Sequence, residues 1–207
     1  MLSNPGTNRT MGKKIQQRLA AHSRWVHLYL SVGSFTIILF FAVTGFTLNH
    51  AEWFEQNPRL TKLTGMISPL WIPLGDTNHI KKQEIIEYLQ GKGNLVGHLR
   101  DFRADETSIS IAFAGPAYSA DVRIDRKTGH YTALETRFGL ISKMNDLHKG
   151  RDTGSNWHLV IDLAAVFISL ISISGILMLF FMGKKRLGGL VFIFIGSVLF
   201  YVFYLLS

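Results

Sequence analysis

The sequence predicts a membrane α-helical protein: three transmembrane helices with a small α+β domain inserted between the first and second. Three observations carry this. The apolar residues of the 207-residue chain concentrate in blocks at 25–48, 159–182 and 187–206, each near the ~20 residues that a helix needs to cross the hydrocarbon core. The net charge of +8 is unevenly placed, since residues 51–156 hold 14 basic and 13 acidic side chains while the excess flanks the apolar blocks. Between the first two blocks the pattern changes to short alternating runs separated by turn residues, which is how antiparallel strands read.

The expected boundaries are a basic cytoplasmic segment over 1–24, the first span over 25–50, the inserted domain over 51–156, the second span over 157–182, a cytoplasmic turn over 183–188 and the third span over 189–206. Residues 1–12, with Asn4-Pro5-Gly6, read as an unstructured lead-in. From Lys13 a helical pattern begins, with Ile15, Leu19 and Trp25 among basic and amide side chains. The first block exceeds the ~7–15 apolar residues of a signal peptide and has no small-x-small exit, so it reads as a retained helix. Arg9, Lys13, Lys14, Arg18 and Arg24 precede it, and Lys184, Lys185 and Arg186 lie between the second and third blocks. Such clusters mark the cytoplasmic side. The amino terminus is therefore expected inside, with the inserted domain and the carboxyl terminus outside. The basic balance reports topology, and nucleic acid is not expected as a partner.

Within the insertion, Pro58, Pro69 and Pro73 mark a linker out to Asp76, where the domain should begin. Asp76 or Thr77 would cap a helix over 80–90, whose Ile80, Ile85, Ile86 and Leu89 form one apolar stripe. Strands are expected over 95–102, 108–113, 118–124 and 130–134. Ile109, Ile111 and Phe113 share one face of the second of these, and Ala120, Val122 and Ile124 one face of the third. Gly115-Pro116 and Asp125-Arg126-Lys127-Thr128-Gly129 supply the turns. Residues 138–147 turn helical again, along the membrane surface. The third span, rich in Phe and Tyr, reads as packing.

Chemistry is concentrated where the second span begins, with His148, Asp152, Trp157, His158 and Asp162 close together. Ionisable groups beside a bilayer are costly and are functional candidates by default. His27 and His50 open and close the first span, ~34 Å apart along a helix, so they cannot share one ion. His50 would meet His148 and His158 at one membrane face, where two neutral imidazoles can hold haem iron axially. Asp162, four residues beyond His158, would orient that imidazole as an acceptor. At the other face His27 has His22 nearby, with Met178 and Met182 arriving on the second span. The competing reading is that these histidines are interfacial and the methionines only pack. His79, His98 and His130 belong to the inserted domain and are expected at its surface. Trp25-Val26-His27 precedes Thr44-Gly45 much as Trp157-His158 precedes Ser174-Gly175, a faint inverted likeness between the first two spans.

Other chemistries lack their residues. With no cysteine there are no disulfides and no thiolate sites. There is no HExxH, GxSxG, phosphate-binding loop or GxGxxG. Whether the chain is an enzyme stays open.

Arg24-Trp25-x-His27, Thr44-Gly45-Phe46, the turn at 125–129, Leu147-His148-x-Gly150 and Ser174-Gly175-Ile176-Leu177 together resemble the PepSY-associated transmembrane helix family. The resemblance covers most of residues 18–182. It implies a bacterial inner-membrane protein with a PepSY-like domain outside. Larger relatives include haem-containing reductases of ferric siderophores, and His27 and His148 carry over as the family's histidine positions. The chain departs from those relatives in having three spans and no flavin or nicotinamide motif. Three functions follow as expectations. The first is a b-type haem protein passing electrons at the membrane, to ferric iron or a siderophore. The second is a membrane-anchored PepSY module that binds or regulates a membrane or periplasmic partner. The third is an accessory subunit of a larger membrane complex.

Overall fold

A computed structural model describes residues 5–54, 57–75, 77 and 79–207, with the side chains of all of these except 5–13, 16 and 184. The chain forms two compact units, Met1–Phe40 with Asp162–Ser207, and Phe41–Ile161. Among the described residues three helices are long and apolar enough to cross a membrane, at Gln17–Asn49, Ser155–Phe180 and Arg186–Leu206.

The first unit is helical. It contains α1 (Pro5–Asn49) as far as Phe40, α4 (Ser155–Phe180) from Asp162, and α5 (Arg186–Leu206). The expected unstructured lead-in is overturned in part, because α1 is already helical from Pro5, where proline's fixed φ suits a first helical position. The turn expected over 183–188 shrinks to a 3-10 turn at Gly183–Lys185. Gly183, at φ +54, makes the reversal in the left-handed region that glycine enters without cost, and α5 follows at once.

The second unit carries a five-stranded antiparallel sheet of order β1-β5-β4-β3-β2. The strands are β1 (Arg59–Met66), β2 (His98–Ala104), β3 (Ser108–Gly115), β4 (Tyr118–Asp125) and β5 (His130–Arg137). The same unit holds α2 (Lys82–Gly91) and α3 (Leu140–Lys149). The alternation of β3 and β4 places their apolar sides together: Ile109 pairs with Ile124, Ile111 with Val122 and Phe113 with Ala120. Those side chains are buried with Tyr131, Ala133, Ile85, Leu89, Leu95, Ile67 and Ile72, so one face of the sheet is covered. The opposite face carries Ser110, Asp121 and Arg123, which are exposed.

Two expectations in this unit are corrected. The linker that was to end near Asp76 contains β1, which pairs with β5 without a break from Arg59 to Met66. As an edge strand it leaves Leu60, Lys62, Thr64 and Met66 exposed, so its apolar residues do not fall on one side as a buried strand's would. Gly65 pairs with Tyr131, whose ring lies 2.6 Å from where a Cβ of residue 65 would stand, so the tyrosine covers the glycine across the strands. The helix α2 has Lys81 at its N-cap with no side-chain cap bond, so Thr77 does not cap it, and Asp76 lies outside the described residues. The other edge, β2, carries a bulge between Leu99 and Asp101, an irregularity that discourages pairing with another chain.

At one end of the covered face Glu135, 5% exposed, accepts a hydrogen bond from the Arg137 guanidinium at 2.6 Å. That bond, with one from the Tyr118 hydroxyl, holds the Glu135 carboxyl below the ordinary glutamate value against the opposing effect of burial. A depressed carboxyl contributes stability above its unfolded pKa, and that stability is lost as pH falls through the folded value. Thermal unfolding of the wild type should therefore drop on acidification below pH ~4.5, with a visibly flatter acid limb in Glu135→Gln. An identical limb would remove Glu135 as its source.

Candidate functional site

Residues 140–150 show how Leu147-His148-x-Gly150 holds together as a unit. Gly150 stands at φ +67 just past α3. The Arg151 N–H donates to the Asp146 carbonyl at 2.9 Å and the Gly150 N–H to the Leu147 carbonyl at 3.2 Å, the paired bonds of a Schellman ending. The Trp157 indole N–H also donates to the Leu147 carbonyl, at 2.7 Å. His148 is thereby held in the last turn of α3. Gly150→Ala should cost roughly 1–2 kcal/mol, through the positive φ and through a Cβ 3.1 Å from the His158 ring and from Ile161. Denaturant unfolding checks this, with Gly154→Ala, where nothing lies within 4 Å, as the neutral comparison.

The His148 ring meets the end of α1. Its Nδ1 is 2.6 Å from Thr44 Oγ1, its Cε1 stands 3.7 Å from the Cβ position of Gly45, and its edge faces the Phe41 ring at 4.9 Å between centroids. The Thr44 hydroxyl donates its own hydrogen towards the Phe41 carbonyl at 3.4 Å, which assigns it as acceptor of an Nδ1–H from His148. Nε2 then carries the lone pair. Burial, and secondarily the Lys149 charge, push the His148 pKa below the usual histidine value, so the ring is neutral at pH 7. One turn earlier the Thr47 hydroxyl donates to Asn145 Oδ1 at 2.6 Å. Asp146, 5% exposed, accepts the Ala117 N–H at 2.9 Å and pairs with Arg151 at 2.7 Å. Three residues of α3, Asn145, Asp146 and His148, are thus tied to the α1 end and to the β3–β4 turn.

The first unit contains the same chemistry. His27 Nδ1 is 2.9 Å from Ser174 Oγ, and the Ser174 hydroxyl donates to the Ile171 carbonyl at 2.8 Å. His27 is therefore also assigned the Nδ1–H form, and its Cε1 lies 3.3 Å from the Cβ position of Gly175. In both units an imidazole leans on a hydroxyl and the glycine after it. The described residues give neither Nε2 a hydrogen-bond partner.

The remaining expected residues sit apart from these contacts. His50 Nδ1 meets the Phe46 carbonyl at 3.1 Å, and its ring stacks against Trp53 at 4.0 Å and Phe46 at 4.6 Å. His158 is exposed, with its ring over Gly150. Among the described residues no hydrogen bond or ring contact joins any two of His50, His148 and His158. His22 Nδ1 meets the carbonyl of Arg18 at 3.0 Å, and Asp162 is exposed on α4. His98 and His130 are exposed strand-end residues, as expected. The inverted likeness read between the first two spans is re-paired. Thr44-Gly45 receives His148 and Ser174-Gly175 receives His27, while His158 meets neither pair.

A family model described as "Putative PepSY_TM-like" matches residues 21–207. The chain belongs to this PepSY_TM-like family. No curated protein and no solved structure matches the chain. Family membership and the three apolar helices make this PepSY_TM-like chain a multi-pass membrane protein.

Haem is the group that such a donor set brings into question. Among the described residues no group of three or more His, Cys, Asp or Glu gathers to hold a bare metal ion. The fit to haem extends to one axial ligand in each unit: a neutral or hydroxyl-anchored imidazole whose Nδ1–H is fixed and whose Nε2 lone pair is unused, the second-sphere arrangement that metal-bound histidines adopt. Thr44 and Ser174, which hold these histidines, appeared in the sequence only as parts of motifs without a role, and Asp146, which braces α3 against Ala117 and Arg151, was not singled out. Their only signal was placement, with Asp146 two residues before His148 and each hydroxyl just before a glycine.

Proposed function

We propose that this PepSY_TM-like chain is a bacterial inner-membrane b-type haem protein that passes single electrons at the membrane, with ferric iron or a ferric siderophore as acceptor. Nε2 of His148 in one unit and Nε2 of His27 in the other would each hold a haem iron of its own. The observation that supports this is shared by both units: each ring is anchored through Nδ1 on a hydroxyl while its Nε2 has no hydrogen-bond partner among the described residues, which is how a metal-bound imidazole is oriented. A bound haem supplies reversible one-electron chemistry. The chain's own residues do the rest. Thr44 and Ser174 hold the Nδ1 protons, which keeps the rings from turning and raises the basicity of Nε2. Gly175 lets the His27 ring come within 3.3 Å of where a Cβ of residue 175 would stand.

The test is an absorption spectrum, oxidised and dithionite-reduced, of detergent-purified protein expressed with haem supplied. A sharp reduced α band that is lost in His148→Ala or His27→Ala is the expected result. Thr44→Val, which keeps the shape of Thr44 but accepts no hydrogen bond, should weaken haem retention by roughly 10–100-fold with the fold intact. A flat spectrum from folded, haem-replete protein overturns the proposal.

One observation favours a second reading, a membrane-anchored PepSY module that serves as an accessory subunit or binds a regulatory partner. No residue of α5 is buried, so a whole apolar helix is available for a partner protein. In that reading both histidines are ties between helices, their alanine variants lose stability and no colour, and crosslinking through α5 recovers a partner.

A further inference from the structure

In the second unit a cleft of about 460 Å³ opens just beyond the last turn of α1. Its lining is of two kinds. Phe54, Phe138 and Ile141 are apolar, while Glu52, Asn145 and Arg151 are polar. Arg151 spends one nitrogen on Asp146 and is 63% exposed, so it keeps further N–H donors at the lining of the cleft. Asn145 uses its Oδ1 to accept from Thr47, which leaves its amide N–H groups as donors. Asp146 and Arg151 cancel in charge. Among the described residues Glu52 has no hydrogen bond or ion pair, and its carboxylate sets the net charge of the cleft at one negative. The cleft therefore offers donors for an anion, one acceptor charge for a cation, and an apolar wall. Its position fits one source of such a ligand. Residues 51–54 directly follow a helix long enough to cross a membrane, and exposed Trp53 is a side chain that favours the headgroup layer.

We propose that this cleft seats the headgroup of one phosphatidylethanolamine molecule, with its phosphate on Arg151 and Asn145, its ammonium on Glu52, and its glycerol and first acyl carbons along Phe54, Phe138 and Ile141. A primary ammonium has three N–H donors for the Glu52 carboxylate. Phosphatidylcholine has none, and phosphatidylglycerol brings no cation to offset Glu52. The inference is independent of haem, since none of these residues touches His148 or His27.

The experiment is native mass spectrometry of the full-length protein in neutral detergent, offered equimolar phosphatidylethanolamine, phosphatidylglycerol and phosphatidylcholine of matched chains. Wild type should retain the ethanolamine lipid about tenfold more than either competitor, the scale set by one charge-assisted hydrogen bond. Glu52→Gln should bring the three lipids level. Ile141→Trp, which fills the cleft, should lower retention of the ethanolamine lipid while leaving weak, unselective adducts in place. Equal retention of all three by the wild type, a preference for phosphatidylglycerol, selectivity that survives Glu52→Gln, or ethanolamine adducts unchanged in Ile141→Trp would each overturn the proposal.

Discussion

Replacing Asp146 with alanine is expected to lower the stability of the sheet-bearing unit by about 2–4 kcal/mol, the sum of an orphaned backbone donor and a lost, partly screened ion pair. Asp146 is buried where the β3–β4 turn meets α3. One carboxylate oxygen takes the Ala117 N–H and the other takes Arg151. The turn needs this support, because Ala117 adopts φ +56, a left-handed conformation that glycine would adopt without strain. Without the carboxylate the Ala117 N–H is left buried and unpaired. The Arg151 side chain is 63% exposed, so its share of the loss is the smaller one. Asp146→Asn keeps an oxygen for Ala117 and should cost less than half as much. Hydrogen exchange read by mass spectrometry separates the cases: protection of the β3–β4 hairpin and of α3 should fall together in the alanine variant. Loss confined to α3, with the hairpin unchanged, would show that Asp146 does not couple them. Because His148 follows by two residues, loosened α3 should also weaken the contact between His148 and Thr44.

Gly97→Ala is expected to be at least as damaging, at ~2 kcal/mol or more, since a left-handed φ and a backbone collision coincide. Gly97 stands at φ +89 immediately before β2. A Cβ there would overlap the carbonyl of Ala114 on the neighbouring strand, with the Ala114 carbonyl carbon at 2.9 Å. Ala114 is part of the β2–β3 ladder through His98, so it cannot retreat without opening the pairing. The Gly97 carbonyl is also held by the Gln90 side-chain amide at 2.8 Å, which keeps the residue against the sheet. Gly91 offers the opposite case. It closes α2 with nothing within 4 Å of its Cβ position, so Gly91→Ala should stabilise by up to ~1 kcal/mol through helix propensity. Denaturant midpoints of the two variants should move in opposite directions from wild type. Movement in the same direction would show that local crowding does not govern Gly97.

The two outcomes illustrate how unequally the sequence speaks. The faces of β3 and β4 were legible, because Ile109, Ile111 and Phe113 alternate with polar residues and a period of two has one structural meaning. The turn at 125–129 was legible for a local reason too. Asp125 Oδ1 accepts the Lys127 and Thr128 N–H groups, both at 2.9 Å, and Gly129 follows at φ +72. By contrast β1 read as linker, since its partner β5 lies some seventy residues away and an edge strand with one side in water carries no clean alternation.

By itself the sequence determined what depends on neighbours along the chain: three helices of membrane length, basic clusters beside them, and the strand faces. Hydropathy and period are local sums, so a single chain suffices to read them. Only the tertiary structure decided which hydroxyl each histidine meets. His148 with Thr44 and His27 with Ser174 join residues 104 and 147 positions apart, and neither contact was legible in the sequence. A hydrogen bond selects its partner by distance and direction at ~3 Å, quantities that exist only once the helices have packed.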